Sequence, residues 1–517
     1  MSSRGTFTDL WNRAVGEWGD RPFVVFREEN DDLPDSAWSY GEFDGLVSRT
    51  AGRLRELGVE RGDSVHICLR NSPAFLMVWL AVARLGAWMV PVDPGSAARD
   101  IDNQLSRTGP KVGVCAASRA RTYRAGAAAH VSSIVEVTET AADTRDGSPL
   151  LGKPVAGVKV EPLDRLAIMF TSGTTSEPKG VVLTQANYHY TGVTMAQLVD
   201  QKPQDRWYVC LPLFHGNAQY YCFQAAIAAG ASVALAAKFT ASGWPFDVRD
   251  LEATHASLFA APIRMILAGK REDAPDLHLK HVWFAQSLAE KHFAEFTKMC
   301  GVAPRQLYGM TETTAIVTAN LGDNPTHDSI GTVVPGREVA LLDQLDHSPV
   351  ADGSPGVITV AGERGGDLFC GYLDNQAATA KAFPRIDDSQ SWFSTGDLAR
   401  RDVDGRLRFV GRIDDVIKVS GENVSLTEVE AALAQAPGVL EAAVLAVDDP
   451  VRDKVPVAYV VARSKANPPN VADLAAWAED NLSPAARPRE WTLIDELPRT
   501  SVGKLRRFKL TEQNNSS

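Results

Sequence analysis

The chain has 517 residues, of which 44% are apolar and 23% charged. That length exceeds one ordinary core, so more than one domain is expected, and the balance is that of a soluble globular protein. With 53 basic against 64 acidic residues the net charge is −11, which argues against a nucleic-acid binder but leaves room for a local basic site that holds a small anion.

The N-terminal stretch MSSRGTFTDLWNRAVGEWGD has no apolar h-region, so no signal peptide is expected and the cytoplasm is the default compartment. The most apolar segment, PAFLMVWLAVARLGAWMVPVD, is interrupted by Arg84 and Gly86. It reads as a buried helix followed by a strand, not as a membrane span. Ser72 and Pro73 make a good N-cap and first-position pair, Gly86 ends the helix, and the flanking GDSVHICL and WMVPV read as strands. A parallel strand–helix–strand unit follows from that order. The same alternation recurs at KVGVCAA, SVALAAKF and HASLFAAP, which predicts an α/β architecture with parallel sheets. Between them, TETAADTRDGSPLLGKPVAG is polar and rich in Pro and Gly, a surface loop. Cys68, Cys115, Cys210, Cys222, Cys300 and Cys370 are scattered without CxxC or metal spacing, and read as buried reduced thiols.

From about Gly356 the pattern changes. GVITVAGERGGDLFCGYLD and GDLARRDVDGRLRFVGRID are strands broken by Gly and Asp-Gly turns, with DVDGRLRF as a hairpin. After GRIDD a small α/β pattern resumes: helix SLTEVEAALAQAPGV, strands EAAVLAVDD and VPVAYVVARS, helix NVADLAAWAEDNL. That is long enough for a separate small domain. The tail TEQNNSS is expected to be disordered.

One loop stands out. TSGTTSEPKG lies between the apolar runs RLAIMF and VVLT. Glycines let successive N–H groups converge, hydroxyls add short-reach donors and Lys179 adds charge, a design that wraps a phosphate. It is not a Walker A loop, because Lys179 follows a proline, precedes a glycine and leads into a strand. Composition alone leaves an anion-binding loop and an ordinary Ser/Gly-rich turn both open.

The exact string closely resembles the phosphate-loop signature of the adenylate-forming superfamily: acyl-CoA synthetases, peptide-synthetase adenylation domains and luciferases. Companion strings follow in the family's order: YGMTETT from Tyr308, STGD ending at Asp397, GRIDDVIKVSGENVSLTEVE and LPRTSVGKLRR. The resemblance covers nearly the whole chain. It is closest to the crotonobetaine/carnitine-CoA ligase-like branch, through FHGNAQYY, GYLDNQAATAKAF and SGENVSLTEVE. It implies a large N-terminal domain over residues 1–411, with a β-rich part at about 330–411. A small mobile α+β domain would follow over 412–517, swinging on Asp414.

By this resemblance, Thr171, Ser172, Gly173, Thr174, Thr175 and Lys179 hold the β- and γ-phosphates of ATP, and Thr311 bonds the α-phosphate. Glu312 binds Mg2+, a hard carboxylate for a hard cation. Tyr308 stacks on adenine beside Gly309 and Met310, and Ala285-Gln286-Ser287 borders the ring where the family often has a glycine-rich string. Asp397 takes both ribose hydroxyls with help from Arg412. Lys504 contacts the carboxylate and α-phosphate during adenylation, so Lys504→Ala should slow adenylation more than the thioester step. His215, Asn217, Tyr220, Tyr221, Phe259, Ala260, Pro262, Met310 and Thr314 are pocket candidates, with His215 a gate. Val357 stands where the family usually has an acid.

The implied reaction is attack of a carboxylate on ATP, release of pyrophosphate, then transfer of the acyl group to coenzyme A. The aromatic pocket set favours an aryl, cinnamate-like or short functionalised acid over a long fatty acid. A carrier protein as acceptor, or nitrite activation for diazotising an aryl amine, is equally compatible with the ATP motifs, as is a homodimer. A Walker-type kinase would release inorganic phosphate instead. A degenerate binding homologue would have lost Lys504, Glu312 or Asp397, all of which are present.

Overall fold

The computed structural model describes residues 5–30, 33–171, 178–386, 390–419, 422–449 and 452–499, together with 505, 507 and 510. Ser172, Gly173, Thr174, Thr175, Lys504 and the tail TEQNNSS, all named above, lie outside the described residues.

The helix Pro73–Leu85 begins and ends where local chemistry dictates. Ser72 Oγ accepts the Phe75 N–H, Pro73 occupies a position where no N–H is needed, and Gly86 leaves the helix at φ 64°. Every residue of it except Arg84 is buried, and Arg84 turns its guanidinium to Asp44 at 2.8 Å. Trp79 stacks on Phe7 at 5.5 Å between ring centroids. Among the described residues no helix is long and apolar enough to cross a membrane.

The large domain holds two large sheets. In one, Pro22–Arg27, Ser232–Ala236, Arg206–Val209, His255–Phe259, His281–Ala285 and Arg305–Tyr308 run parallel. In the other, Ser133–Val137, Val112–Ala116, Ser64–Cys68, Trp88–Pro91 and Arg165–Thr171 run parallel. Covered on both faces, such strands are apolar throughout. Val112–Ala116 and Ser232–Ala236 are buried at every position. Lys179–Thr184 turns back antiparallel on Arg165–Thr171, with Thr171 opposite Lys179. These two strands flank the Gly/Ser/Thr-rich string in sequence.

A third sheet holds Glu338–Leu342, Gly356–Gly362, Ser391–Arg401 and Leu407–Arg412, all antiparallel. Its expected hairpin is present: Arg401 faces Leu407, and Gly405 closes the turn at φ 80° with its N–H on Asp402 O. GYLD, expected among these strands, departs from them. Gly371–Tyr372 pairs instead with Lys179–Thr184, Gly371 against Val182 and Tyr372 against Val181. The reason is that Cys370 and Leu373 give their N–H groups to Val182 O and Gly180 O.

The C-terminal residues build a smaller unit. Val416–Val419, Asp453–Ala462, Val439–Asp449 and Glu490–Ile494 form a sheet, flanked by the helices Leu426–Leu433 and Val471–Asn481. Val419, Val429, Leu433, Val460 and Leu474 form its own core. The fold is thus mixed α/β, a large N-terminal domain with parallel-rich sheets followed by a small C-terminal one. The cysteines are reduced and all but Cys370 are buried. Burial pushes the Cys68 and Cys115 thiols up to about 12, which makes them poor nucleophiles.

Candidate active site

Ligands of doubly wound sheets sit beyond the carboxyl ends of the parallel strands. Phe259, Ala285 and Tyr308 each end such a strand, and Phe259 is in register with Ala285. Three strings far apart in sequence thus meet at one rim. Beyond Ala285, Gln286 takes a left-handed φ of 74°, and its carbonyl accepts the Gln306 side chain at 3.1 Å. Gln286 and Ser287 are exposed on this rim.

Tyr308 and Arg412 hold Asp397 from two sides. The Tyr308 hydroxyl donates to Asp397 Oδ2 at 2.7 Å, and Arg412 Nε lies 3.2 Å from Oδ1. Strand pairing brings this about, because Asp397 and Arg412 are directly opposite on adjacent antiparallel strands. Gly396, just before Asp397, has φ 75°, a conformation costly for any residue with a Cβ. Burial, and after it Asp397, raise the Tyr308 phenol well above its ordinary range, so Tyr308 keeps the proton it donates to Asp397.

Glu312 lies four residues beyond Tyr308, in the short 3-10 turn Thr311–Thr313, and is buried. Tyr372 donates its hydroxyl to Glu312 Oε1 at 3.1 Å. The same ring carries the Lys179 ammonium 5.0 Å from its centroid. Tyr372 therefore links the hairpin lysine to the turn carboxylate. Burial and then Glu312 raise the Tyr372 phenol, and Thr311 is half-buried at the start of the turn.

This turn is fixed from behind. Thr314 sits at φ 59°, which costs a β-branched residue about 1–3 kcal/mol. Its hydroxyl donates to Asp367 O at 3.1 Å. The buried guanidinium of Arg337 donates to the carbonyls of Thr313, Ala315 (3.3 Å) and Asp367 (2.8 Å). The strain is held by hydrogen bonds to backbone on both flanks.

On the other side of the rim, Asn217–Phe223 is a π-helical turn, a form concentrated at functional sites. Asn71 secures the loop before it, accepting the Leu213 N–H at 2.8 Å and donating to Leu211 O and Ala236 O at 3.1 Å. Gln219 donates to Leu213 O and accepts from Tyr188. His215 is half-buried against Phe214, ring centroids 4.7 Å apart. A Cβ on Gly309 would come within 3.0 Å of the Tyr221 hydroxyl, so Tyr221 borders the YGMTETT string directly. Met310 and Phe259 are half-buried, and Asn217 Oδ1 is buried without a hydrogen bond to protein. Tyr220 bonds to Met169 Sδ at 3.6 Å. With Thr314 it is fully buried.

The family model for AMP-binding enzymes matches residues 11–373, and that for the C-terminal domain of AMP-binding enzymes matches residues 428–504. The chain belongs to the AMP-binding enzyme family. This AMP-binding enzyme is 29% identical over 514 residues to a crotonobetaine/carnitine–CoA ligase of Salmonella heidelberg, covering 96% of this chain and 97% of that one. A similar solved structure is the anthranilate CoA ligase AuaEII in complex with anthranoyl-AMP, with TM-score 0.88 and 21% identity over 100% of this chain and 98% of that one. Another is a benzoate CoA ligase of Burkholderia xenovorans, with TM-score 0.85 and 22% identity over 98% and 99%. The relatives are acid–CoA ligases of the AMP-forming kind, and the enzyme shares their fold along its whole length.

Sequence reasoning missed Tyr372, Arg337 and Asn71 in this AMP-binding enzyme. GYLD was visible as a family-like flank, but no local signal tied its tyrosine to Glu312. Arg337 and Asn71 act on backbone carbonyls, and nothing in their neighbouring residues marks that.

Proposed function

We propose that this enzyme joins a carboxylic acid to coenzyme A in two steps, adenylation by ATP with release of pyrophosphate, then thiol transfer with release of AMP. The observation that carries this reading is the pairing of Asp397, held by Tyr308 and Arg412, with Glu312, tied through Tyr372 to Lys179. A ribose and a polyphosphate need those two poles, one to accept hydroxyls and one to manage charge.

Asp397 binds the ribose, its carboxylate accepting hydroxyl protons. Tyr308 lies beneath the adenine with Gly309 and Met310, and Gln286 and Ser287 border the ring. Thr171, Ser172, Gly173, Thr174, Thr175 and Lys179 grip the leaving pyrophosphate, while Thr311 orients the α-phosphate. Lys504 meets the carboxylate and α-phosphate during adenylation, and the small domain then turns about Asp414 to admit the thiol. Asp414 is exposed in a 3-10 turn, as a swinging position requires. The residues fit a magnesium ion: Glu312 is a buried hard-oxygen donor, and among the described residues no cluster of three ligating side chains stands ready. Phosphates and water would complete such a shell. When bound, magnesium neutralises charge along the phosphates.

For the acid, His215, Phe259, Tyr221 and Met310 present rings and a thioether, and Asn217 Oδ1 supplies one unmatched polar atom. That lining suits an aryl or short functionalised acid with a hydrogen-bond donor. The test is a panel of benzoate, anthranilate, cinnamate and crotonobetaine in ATP–pyrophosphate exchange, followed by coenzyme A with the fastest acid. Exchange and a thioester are expected. Exchange with none of them, or release of ADP, would overturn the reading. An adenylate that reacts only with a carrier protein or nitrite would replace its second half.

A further inference from the structure

We propose that Arg507 is a positioning residue that holds the Lys504 segment to the hinge. The proposal rests on the functional reading above, in which Lys504 acts in adenylation.

Arg507 lies three residues after Lys504 and reaches back across the small domain. Its Nη1 donates to Asp415 Oδ2 at 3.1 Å, and its Nη2 donates to both oxygens of Glu430 at 2.8 Å. Asp415 is buried and adjoins the hinge residue Asp414. Glu430 is fixed in turn, because its Oε1 accepts the Val444 N–H at 2.8 Å. On the near side of Lys504, Arg499 is ion-paired with Glu441 and bridged antiparallel to Leu505. Arg499 and Arg507, before and after Lys504 in sequence, are thus each held by guanidinium–carboxylate contacts, the kind with the strongest directional preference.

The chain of charges continues past the hinge. Arg412 ends the strand Leu407–Arg412 just before the hinge, ion-paired with Asp397 at 3.2 Å. Burial weighs against the Arg412 charge, while Asp397 and then Asp415 more than offset it. Arg507 thus bridges Asp415 and Glu430 beyond the hinge, while Arg412 holds Asp397 on the strand before it. Ser425 Oγ also crosses to Val410 O at 2.6 Å, so hinge and small domain are in register. A tail held only by apolar contact would not sense the hinge. A buried ion pair has one good geometry, and loss of one partner strands the other charge.

The experiment compares the two half-reactions in Arg507→Gln, Arg507→Lys, Glu430→Gln and the control Lys504→Ala. Adenylation is read as ATP–pyrophosphate exchange with the fastest acid of the panel, and transfer as thioester formation from the synthetic acyl-adenylate and coenzyme A. The expected result is that Arg507→Gln slows exchange about 30-fold, the size of one or two charge-assisted hydrogen bonds, but transfer by less than about threefold. Arg507→Lys should recover part of the loss, because an ammonium can satisfy one carboxylate but not both. Glu430→Gln, nearly isosteric, should show the same selectivity and serves if Arg507→Gln fails to fold. Equal slowing of both half-reactions, or an unchanged exchange rate beside a slowed Lys504→Ala, would overturn the proposal. Unchanged exchange in Lys504→Ala would instead sink the functional reading of the tail, and the proposal with it.

Discussion

Tyr308 donates its phenolic hydrogen bond to Asp397 at 2.7 Å, across 89 positions of sequence. A tyrosine that resemblance marks as a stacking platform is therefore also a clamp on Asp397, the carboxylate proposed to bind the ribose. Tyr308→Phe keeps the ring and removes the clamp. AMP affinity should fall about tenfold, the worth of one hydrogen bond to a charged group. Calorimetric titration with AMP checks it, and unchanged affinity would show that the bond does not orient Asp397.

Glu312→Gln should act on magnesium dependence more than on folding. The amide keeps an oxygen for Tyr372 and loses the charge a hard cation needs. The magnesium concentration for half-maximal exchange should rise at least about tenfold. The thermal midpoint should hold or rise, since a buried charge is removed.

Arg337→Met removes a guanidinium that serves three carbonyls. Methionine fills much of the volume and satisfies none of them. Urea unfolding should show a loss of about 3 kcal/mol, the range for orphaned buried polar groups. The strained Thr314 turn should relax, and exchange should slow beyond what the lost stability explains.

Acid should destabilise the fold below pH 6.5. Burial pushes the His66 imidazole down to about 3, and its Nδ1 meets the buried Tyr123 hydroxyl at 2.9 Å. Burial likewise lowers His281 and His189. In each case the unfolded chain binds a proton that the folded chain refuses. Stability is thus full above the unfolded value and falls as pH drops toward the folded one. At pH 5, His66 alone should cost about 2 kcal/mol. Urea midpoints at pH 7.5 and 5 measure this, and His66→Gln, which can still accept from Tyr123, should flatten the dependence.

The parts legible in the sequence are those set by near neighbours. Ser72, Pro73 and Gly86 delimit a helix through bonds within a few residues, and Asp402 with Gly405 makes a turn the same way. The hairpin carrying TSGTTSEPKG was visible as two apolar runs around a glycine-rich loop, and Thr171 does pair with Lys179. What stayed hidden depends on distant pairing. Tyr372 meets Glu312 across 60 positions, and Asn71 meets Leu213 across 142. The π-helical form of Asn217–Phe223 was equally invisible, because such a turn reflects packing that composition does not encode.

The central claim is that a carboxylate oxygen attacks the α-phosphorus of ATP. The direct measurement uses an acid of the panel labelled with heavy oxygen in its carboxylate, turned over with ATP and coenzyme A, and mass analysis of every phosphate product. The expected result is AMP carrying one labelled oxygen and pyrophosphate carrying none. Label in inorganic phosphate, with ADP as the other product, would mean attack at the terminal phosphate and would contradict the adenylate chemistry built on Asp397, Glu312 and Lys504.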